Sequence, residues 1–457
     1  MKRGAGVANP AGSLAGQAPR ARVADPSCRG WETGLMQRVE RWMLRIATGL
    51  VLPMPLLLLY ALAPAEIVVT AVAILFMAHS VLCRHWCWLR QAWVAVAAML
   101  WGDIMLCSGL AQGGHALLQS MGFGRYFLFV AALQVWVLPS PAVRLALARA
   151  YGLVALWLVA GCWQQYLCGR NFMGYGRWED GALLGPLWAP RAGHALVMTA
   201  LPGLFPRFVA LSGHVGGRGR LLAASMLLGL VVTMVLVAQR MPLLQMLAAM
   251  AVVGMLVPRL RAAVLAVGVL GAGCVALSPL LAPQAYAKLV VNFMAHMHDF
   301  ADSPYGMLFI RAGVMIAHHP WSGLGFDGFR HACPDPAYFH GLPWLGIAEG
   351  AHGGAVGCNL HPHNFYLLMG TMGGLPAMGL FAALAACCLL PVWRGLVAAR
   401  EPQRLMLGVT AALVFWPVQS NSSLLTQPTA GWMLMAIGWA LAASPVASQL
   451  QYMHGRD

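Results

Sequence analysis

Apolar segments long enough to form helices recur along most of the chain and are separated by short polar stretches. A helix needs about 20 predominantly apolar residues to cross the hydrocarbon core of a bilayer. The pattern therefore predicts an all-α, polytopic membrane protein with about 12 transmembrane helices. The predicted spans lie near 46–62, 65–82, 92–110, 116–138, 145–165, 194–212, 221–239, 241–257, 262–281, 363–392, 405–420 and 428–446.

The composition supports this prediction. Of 457 residues, 60% are hydrophobic and only 9% are charged, whereas a soluble domain has about 25% charged residues. This excludes a soluble enzyme, a disordered chain and a nucleic-acid binder that needs a basic surface. The net charge of +15 is instead interpreted as a topology signal.

The basic residues predict which segments are cytoplasmic. Residues 1–41 are rich in Ala, Gly, Pro and Arg and contain no long apolar run, so we expect a disordered cytosolic tail rather than a signal peptide. With that tail inside, every predicted inner loop contains Arg, as the positive-inside rule requires. Both termini are therefore predicted to be cytoplasmic, and residues 447–457 form a short C-terminal tail.

Two predicted outer segments are long enough to contribute a functional site. In this division, spans one to nine occupy 42–281 with an outer loop at 166–193, and spans ten to twelve occupy 363–446. The segment 282–362 between them is too long to be a simple connection. Within it, 285–298 has apolar residues at helical spacing, which predicts a helix on the outer leaflet or over the spans.

A histidine pair opens the tenth predicted span. The sequence His361-Pro362-His363-Asn364 precedes an apolar, glycine-containing segment. Pro362 suits a first helical turn, which would put His363 at a helix N-terminus, where anions are attracted. A neutral imidazole there could act as a general base on a hydroxyl group. The alternative is an interfacial histidine that only caps the helix.

Several basic residues lie where topology disfavours them. Arg125 falls within the fourth span, and an arginine inside the membrane predicts a functional site. Arginine binds phosphate groups bidentately without a metal, so an excess of arginine on the outer side is consistent with an anionic lipid headgroup. The alternative is anchoring or ion pairing, to which we assign Arg170, Arg177 and Arg330. The remaining residues of this kind are Arg191, Arg240, Lys288 and Arg311.

Two of these motifs together resemble a known family. The order Arg311…HPWSGLGFDGF followed by HPHNFYLL…GGLPAMGLF from His361 is similar to the signature of the bacterial O-antigen ligase / O-antigen polymerase superfamily, over about residues 220–395. The resemblance implies a GT-C-like, metal-independent glycosyltransferase without a cofactor. It would take a glycan from undecaprenyl diphosphate at the periplasmic face and join it to lipid A–core, to a carrier-linked glycan or to a protein hydroxyl.

The resemblance also implies roles for individual residues. His363 matches the proposed base, and Arg311 and Arg240 match arginines that hold the diphosphate, while Arg191 matches more loosely. Gln239 stands where the family usually has Ser or Thr. Three further residues are expected at the donor site: Arg125, His361 and Asn364.

The spacing of histidines and cysteines bears on a metal site and on a disulfide. His296, His298, Asp299, His318 and His319 could bind zinc or copper, but no third ligand has suitable spacing, so no metal is expected. The two cysteines well inside the outer segment are expected to form a disulfide on the oxidising side, and the alternative is two free thiols. They are Cys333 and Cys358.

Ligase is favoured over polymerase because the chain is compact, ends soon after the last span and has one large outer loop. A transporter of the same lipid stays open, but it would need charged residues at the membrane midplane, where the spans have little besides Asp103 and Arg125. The expected partners are an undecaprenyl-diphosphate-linked glycan, a lipid A–core or glycan acceptor and membrane lipids, and no nucleic acid. The expected location is the bacterial inner membrane.

Overall fold

The computed structural model describes residues 34–212, 217–347, 354, 358–394, 396, 401–419 and 423–445. In these ranges the chain is helical and forms no strand; its β-type pairing is limited to two isolated bridges. The α-helices, numbered in chain order, are α1 (Gly34–Val51), α2 (Met54–Tyr60), α3 (Leu62–Leu82), α4 (Ala92–Gln112), α5 (Gly114–Ala132), α6 (Pro141–Cys168), α7 (Ala192–Gly203), α8 (Phe205–Ser212), α9 (Gly217–Val237), α10 (Arg240–Leu256), α11 (Arg261–Leu281), α12 (Pro283–Tyr286), α13 (Asn292–His298), α14 (Pro304–His318), α15 (Gly328–Ala332), α16 (Phe365–Trp393), α17 (Pro402–Val414) and α18 (Thr429–Ala442).

The chain is a multi-pass membrane protein. Seven helical segments of the described chain are long and apolar enough to cross a bilayer, and two bent pairs, α1–α2 and α7–α8, raise the number to nine. Helices α10 and α18 are apolar but shorter, at 17 and 14 residues. The predicted all-α fold is therefore confirmed with seven to nine spans, and the count of twelve stays a prediction.

The predicted disordered tail ends earlier than expected. Helix α1 begins at Gly34, so residues 34–41 are helical, which corrects the boundary at 41. The sequence obscured this helix because charged and apolar residues alternate at helical spacing there, and such a segment has no long apolar run. Residues 1–33 and 446–457, which hold most of the predicted tails, lie outside the described residues.

The described residues of the segment 282–362 pack against the N-terminal half of α16, and we call this end of the helix bundle the loop end. Its first part is helical, as expected, with α12, a π-helical turn at Ala287–Val291 and α13. Helix α14 follows and packs against α16. A short turn then leads to α15. The described part of this segment therefore lies next to the N-terminal half of α16, which the histidine pair precedes.

A break in α16 joins the two sequence motifs. Gly373 and Gly374 leave helical geometry, with φ of −134° and 69°. The turn after α14 enters this break: Leu324 N–H donates to the Thr371 carbonyl at 2.8 Å, and Leu375 N–H donates to the Pro320 carbonyl at 2.7 Å. The break thus leaves backbone groups of α16 without partners in the helix, and the turn after α14 forms hydrogen bonds with them.

Candidate functional site

Helix α16 begins at Phe365, two residues after His363. Asn364 is its N-cap, and its side chain accepts hydrogen bonds from the backbone N–H groups of Tyr366 and Leu367. Pro362 therefore lies before the helix and not in its first turn, which corrects the prediction. Asparagine is a strongly preferred N-cap residue, and the hydrogen bonds to its side chain fix the start of the helix. The side-chain oxygen of Asn364 is thus used by the helix, and its role at the donor site stays a prediction.

The two histidines form a close pair just before this cap. Their ring centroids lie 4.3 Å apart. The backbone N–H of His363 donates to His361 Nδ1 at 3.2 Å. The Asn359 amide lies 3.2 Å from His363 Nε2, and because Asn359 Oδ1 accepts from the Leu360 N–H, its nitrogen faces the imidazole. In this arrangement one nitrogen of each ring is placed as a hydrogen-bond acceptor, the capacity that a general base uses.

The backbone holds His363 in an unusual conformation. Its φ is 50°, in the left-handed region that residues other than glycine rarely adopt. The Gln419 N–H donates to the His363 carbonyl at 2.7 Å, and the neighbouring Asn364 forms an antiparallel bridge with Val418. The connection after α17 thus fixes the direction of the imidazole. Strained backbone of this kind is common at functional sites.

A cavity of about 460 Å³ opens beside the histidine pair. His361, His363 and Arg191 all line it, so the structure brings together three residues that the sequence singled out. Arg191 precedes the first residue of α7, and burial lowers the pKa of its guanidinium from the ordinary value, yet an arginine stays charged in a protein. The cavity therefore contains two imidazoles and a fixed positive charge.

A second cavity of about 770 Å³ adjoins the first and is lined by Arg125. Asp327, Arg330 and Leu425 line both spaces. The sequence assigned Arg330 to ion pairing, and its Nη1 does lie 3.7 Å from Asp327 Oδ2. Its side chain is 54% exposed, however, so its charge also faces the two cavities.

Arg125 is paired with an acidic residue that the sequence analysis did not assign to the site. Arg125 Nε donates to Glu66 Oε1 at 3.0 Å, and the Tyr126 hydroxyl donates to the same oxygen at 3.1 Å. Gln427 Nε2 donates to the other oxygen, Glu66 Oε2, at 2.7 Å. Gln427 also lines the histidine cavity. The signal in the sequence was a lone carboxylate at the start of the second span and a lone arginine within the fourth.

Arg311 lies outside both cavity linings and is 2% exposed. Its Nη1 donates to the Cys333 carbonyl at 2.6 Å, and its Nη2 donates to the Gly354 carbonyl at 3.0 Å. The guanidinium also stacks over the Phe339 ring at 4.0 Å. All of these contacts are made within the segment 282–362, so Arg311 cross-links that segment.

The expected pair Cys333 and Cys358 is bonded in the structure, with Cα atoms 5.7 Å apart. The bridge lies beside Arg311, whose Nη1 is 3.7 Å from Cys358 Sγ. Asn359 and Leu360 follow Cys358 directly. The disulfide and Arg311 therefore position the residues that lead to His361.

Arg240 lies at the start of α10, away from the linings of both cavities. Its Nε donates to the Lys288 carbonyl at 2.7 Å, and its Nη1 lies 3.0 Å from His296 Nδ1. Desolvation and the Arg240 charge together lower the pKa of His296. Arg240 therefore docks the π-helical turn and α13 onto the bundle.

Three of the histidines considered as metal ligands, His296, His318 and His319, have other contacts. Besides the contact of His296 with Arg240, His318 Nε2 lies 3.1 Å from His340 Nε2. His319 Nε2 lies 3.1 Å from the Tyr338 hydroxyl. In the described part of the outer segment, none of these histidines belongs to a group of three potential ligands close enough to share an ion.

Comparison with known families matches residues 224–382 to the family described as O-antigen ligase. The matched part contains α10, the outer segment, the disulfide and the histidine pair. It ends at residue 382, within α16 and after the break in that helix. It excludes Arg125, Arg191 and Glu66. No curated protein is significantly similar to the chain.

Proposed function

Starting from the membership of this chain in the O-antigen ligase / O-antigen polymerase superfamily, we propose that it transfers a glycan from undecaprenyl diphosphate to a hydroxyl group of lipid A–core. The reaction takes place at the loop end, on the periplasmic face of the bacterial inner membrane. Both termini are cytoplasmic in this arrangement, and the chain crosses the membrane twelve times in a GT-C-like fold.

The observation that carries the proposal is the cavity of about 460 Å³ in which His361, His363 and Arg191 meet. A glycosyl transfer from a diphosphate needs a base for the acceptor hydroxyl and a positive charge for the leaving group. The cavity supplies both within one space. It also adjoins the larger cavity beside Arg125, which leaves room for two substrates.

His363 acts as the base. Its Nε2 faces the Asn359 amide at 3.2 Å, and an acceptor hydroxyl that displaces this amide can deliver its proton to the same nitrogen. The hydroxyl oxygen then bonds to the anomeric carbon, and the bond from that carbon to the diphosphate oxygen breaks with its electron pair. His361, whose Nδ1 accepts from the His363 backbone, keeps its Nε2 as a donor towards the substrate.

The leaving diphosphate is stabilised by arginine and not by a metal ion. Arg191 lines the histidine cavity, and Arg330 lines both cavities. Guanidinium groups bind phosphate oxygens bidentately and keep their charge at any physiological pH. Arg125 contributes less because Glu66 neutralises it. Arg240 and Arg311 act indirectly, by holding the outer segment that closes over the donor.

The test uses the full chain in proteoliposomes with an undecaprenyl-diphosphate-linked glycan and purified lipid A–core. We expect glycan on the acceptor, and a fall of about 100-fold or more for His363→Ala, the loss typical of removing a general base. His340→Ala is the matched control, because His340 lies in the outer segment but outside the cavity lining. Full activity of the His363 variant would refute the base; extended carrier-linked glycan without labelled lipid A–core would make the protein a polymerase.

A further inference from the structure

We propose that Glu40, His79 and Cys83 bind a zinc ion at the end of the helix bundle opposite the loop end. One ligand atom from each of these residues lies within 4.8 Å of the other two, so the three surround a common point. In a tetrahedral zinc site with ligands at about 2.0–2.3 Å, ligand atoms are about 3.3–3.8 Å apart. Small side-chain rotations would therefore bring the three donors to that geometry.

The local structure explains why these residues meet. His79 and Cys83 are four residues apart at the end of α3, so their side chains lie on the same face of the helix. Glu40 lies on α1, which packs against α3. His79 and Cys83 are 6% and 8% exposed. The thiol and imidazole are thus held in a protected place, and the carboxylate closes the site from the neighbouring helix.

The turn after α3 brings His85 next to His79, although its ring lies outside the group of three whose ligand atoms are within 4.8 Å of one another. Arg84 has a φ of 50°, which ends the helix, and the His85 N–H then donates to the Ser80 carbonyl at 2.9 Å. The His85 ring centroid lies 5.8 Å from that of His79, close to the roughly 5 Å expected for two imidazoles on one zinc ion. His85 is the fourth ligand in this proposal.

Neighbouring groups orient the two imidazoles. His79 stacks on Trp136 with ring centroids 5.0 Å apart and an interplanar angle of 14°. Cys87 Sγ lies 3.1 Å from His85 Nε2, which leaves Nδ1 as the ligating atom. Metal-binding histidines usually have such a partner on the second ring nitrogen.

The donor atoms of these four residues favour zinc over other metal ions. A thiolate, two imidazoles and one carboxylate are the mixed sulfur, nitrogen and oxygen donors that suit Zn²⁺, and a closed four-ligand site is structural. In the topology proposed above, this end of the bundle faces the cytosol, where thiols stay reduced and available to metals. The ion would fasten α1 to α3. It lies at the opposite end from the transfer reaction and takes no part in it.

The test measures zinc in the full chain, purified without a polyhistidine tag in mild detergent. We expect about one zinc per chain for the wild type and less than about one tenth of that for Cys83→Ser and His79→Ala. Cys107→Ser is the matched control, since Cys107 is a buried cysteine of α4 outside the cluster; it should keep its zinc. Equal zinc in the wild type and in Cys83→Ser would overturn the proposal.

A second measurement covers the case in which a variant does not fold. The wild type is stripped with a chelator and reloaded with Co²⁺, and we expect the near-ultraviolet charge-transfer band of a cobalt–thiolate bond. Modifying the cysteines with a thiol reagent before reloading should remove that band. A wild type that takes up neither zinc nor cobalt would show that the cluster is only a hydrogen-bonded contact. Neither result depends on the glycosyl transfer.

Discussion

Gln427 donates a hydrogen bond of 2.7 Å to Glu66 across 361 residues of sequence. Glu66 also accepts from Arg125, and Gln427 lines the cavity that holds the histidine pair. Through Glu66, the intramembrane arginine is therefore connected to the wall of the proposed active site, and its charge is compensated before any substrate binds.

Glu66→Gln tests this connection. The amide keeps the shape of the side chain but removes the negative charge, so Arg125 is left uncompensated and the position of Gln427 is disturbed. We expect a lower melting temperature and a fall in transfer of about tenfold, in line with the loss of one charged hydrogen-bond network. Transfer in proteoliposomes and a thermal melt measure the two effects.

Glu179→Gln is the matched control for that change, because Glu179 is an exposed carboxylate of the outer loop at 166–193. It should leave both quantities unchanged. Equal behaviour of the two variants would contradict a role for Glu66 in the site.

Gly374→Ala should prevent folding of the broken helix. A Cβ at this position would approach the Pro320 carbonyl oxygen to 2.4 Å, and its φ of 69° disfavours any side chain. We expect little monodisperse protein in gel filtration and no measurable transfer. Gly379→Ala lies in the same helix with nothing within 4 Å of its Cβ, and it should behave as wild type. A stable, active Gly374 variant would mean that the turn after α14 does not need the break.

Arg311→Lys should reduce activity by weakening the outer segment. One ammonium cannot donate to the Cys333 and Gly354 carbonyls at once and also stack flat on Phe339. We expect a lower melting temperature, with the remaining activity showing an unchanged KM for the donor. Arg170→Lys, at an exposed arginine with one long hydrogen bond of 3.4 Å, is the control. A raised donor KM at unchanged stability would instead favour direct contact between Arg311 and the diphosphate.

Asp327→Asn should stabilise the protein at neutral pH. Burial raises the pKa of the Asp327 carboxyl, and the charges of Arg330 and His331 only partly oppose this. The cost of burying the ionised form is absent below the pKa of the unfolded chain, about 3.9, and develops as the pH rises through the raised pKa of the folded protein. The melting temperature of the variant should exceed that of wild type at pH 8, and the two should converge at pH 4. A difference in melting temperature that grows as the pH falls would contradict this prediction.

Transfer should not require a divalent ion at the loop end. Arg191 and Arg330 line the cavity and supply positive charge for the leaving diphosphate, so this reaction needs no divalent ion. In sealed vesicles with the periplasmic face outward, we expect unchanged rates in EDTA. A loss that added magnesium or manganese reverses would contradict the metal-independent reaction.

The sequence by itself determined the helical, multi-pass class of the fold and three of the residues that line one cavity. Long apolar runs can only be helices in a membrane, because no water satisfies the backbone there. His361, His363 and Arg191 were singled out from their local setting, and they do line one cavity. The Cys333–Cys358 bridge also followed from compartment and position. In each case the information is local, since helix formation, a histidine beside a span and two cysteines in one segment need no knowledge of distant contacts.

The tertiary structure decided which arginines face the cavity and which support it. The resemblance assigns Arg311 to a diphosphate, and in the structure two of its N–H groups donate to carbonyl groups 22 and 43 residues away. The sequence indicates no partner for Glu66, whereas in the structure α5 places Arg125 within hydrogen-bonding distance of it. The sequence also put Pro362 in the helix, whereas the Asn364 cap starts the helix later. These outcomes depend on hydrogen bonds between segments far apart in the chain, and only the packing of the helices determines which donors and acceptors meet.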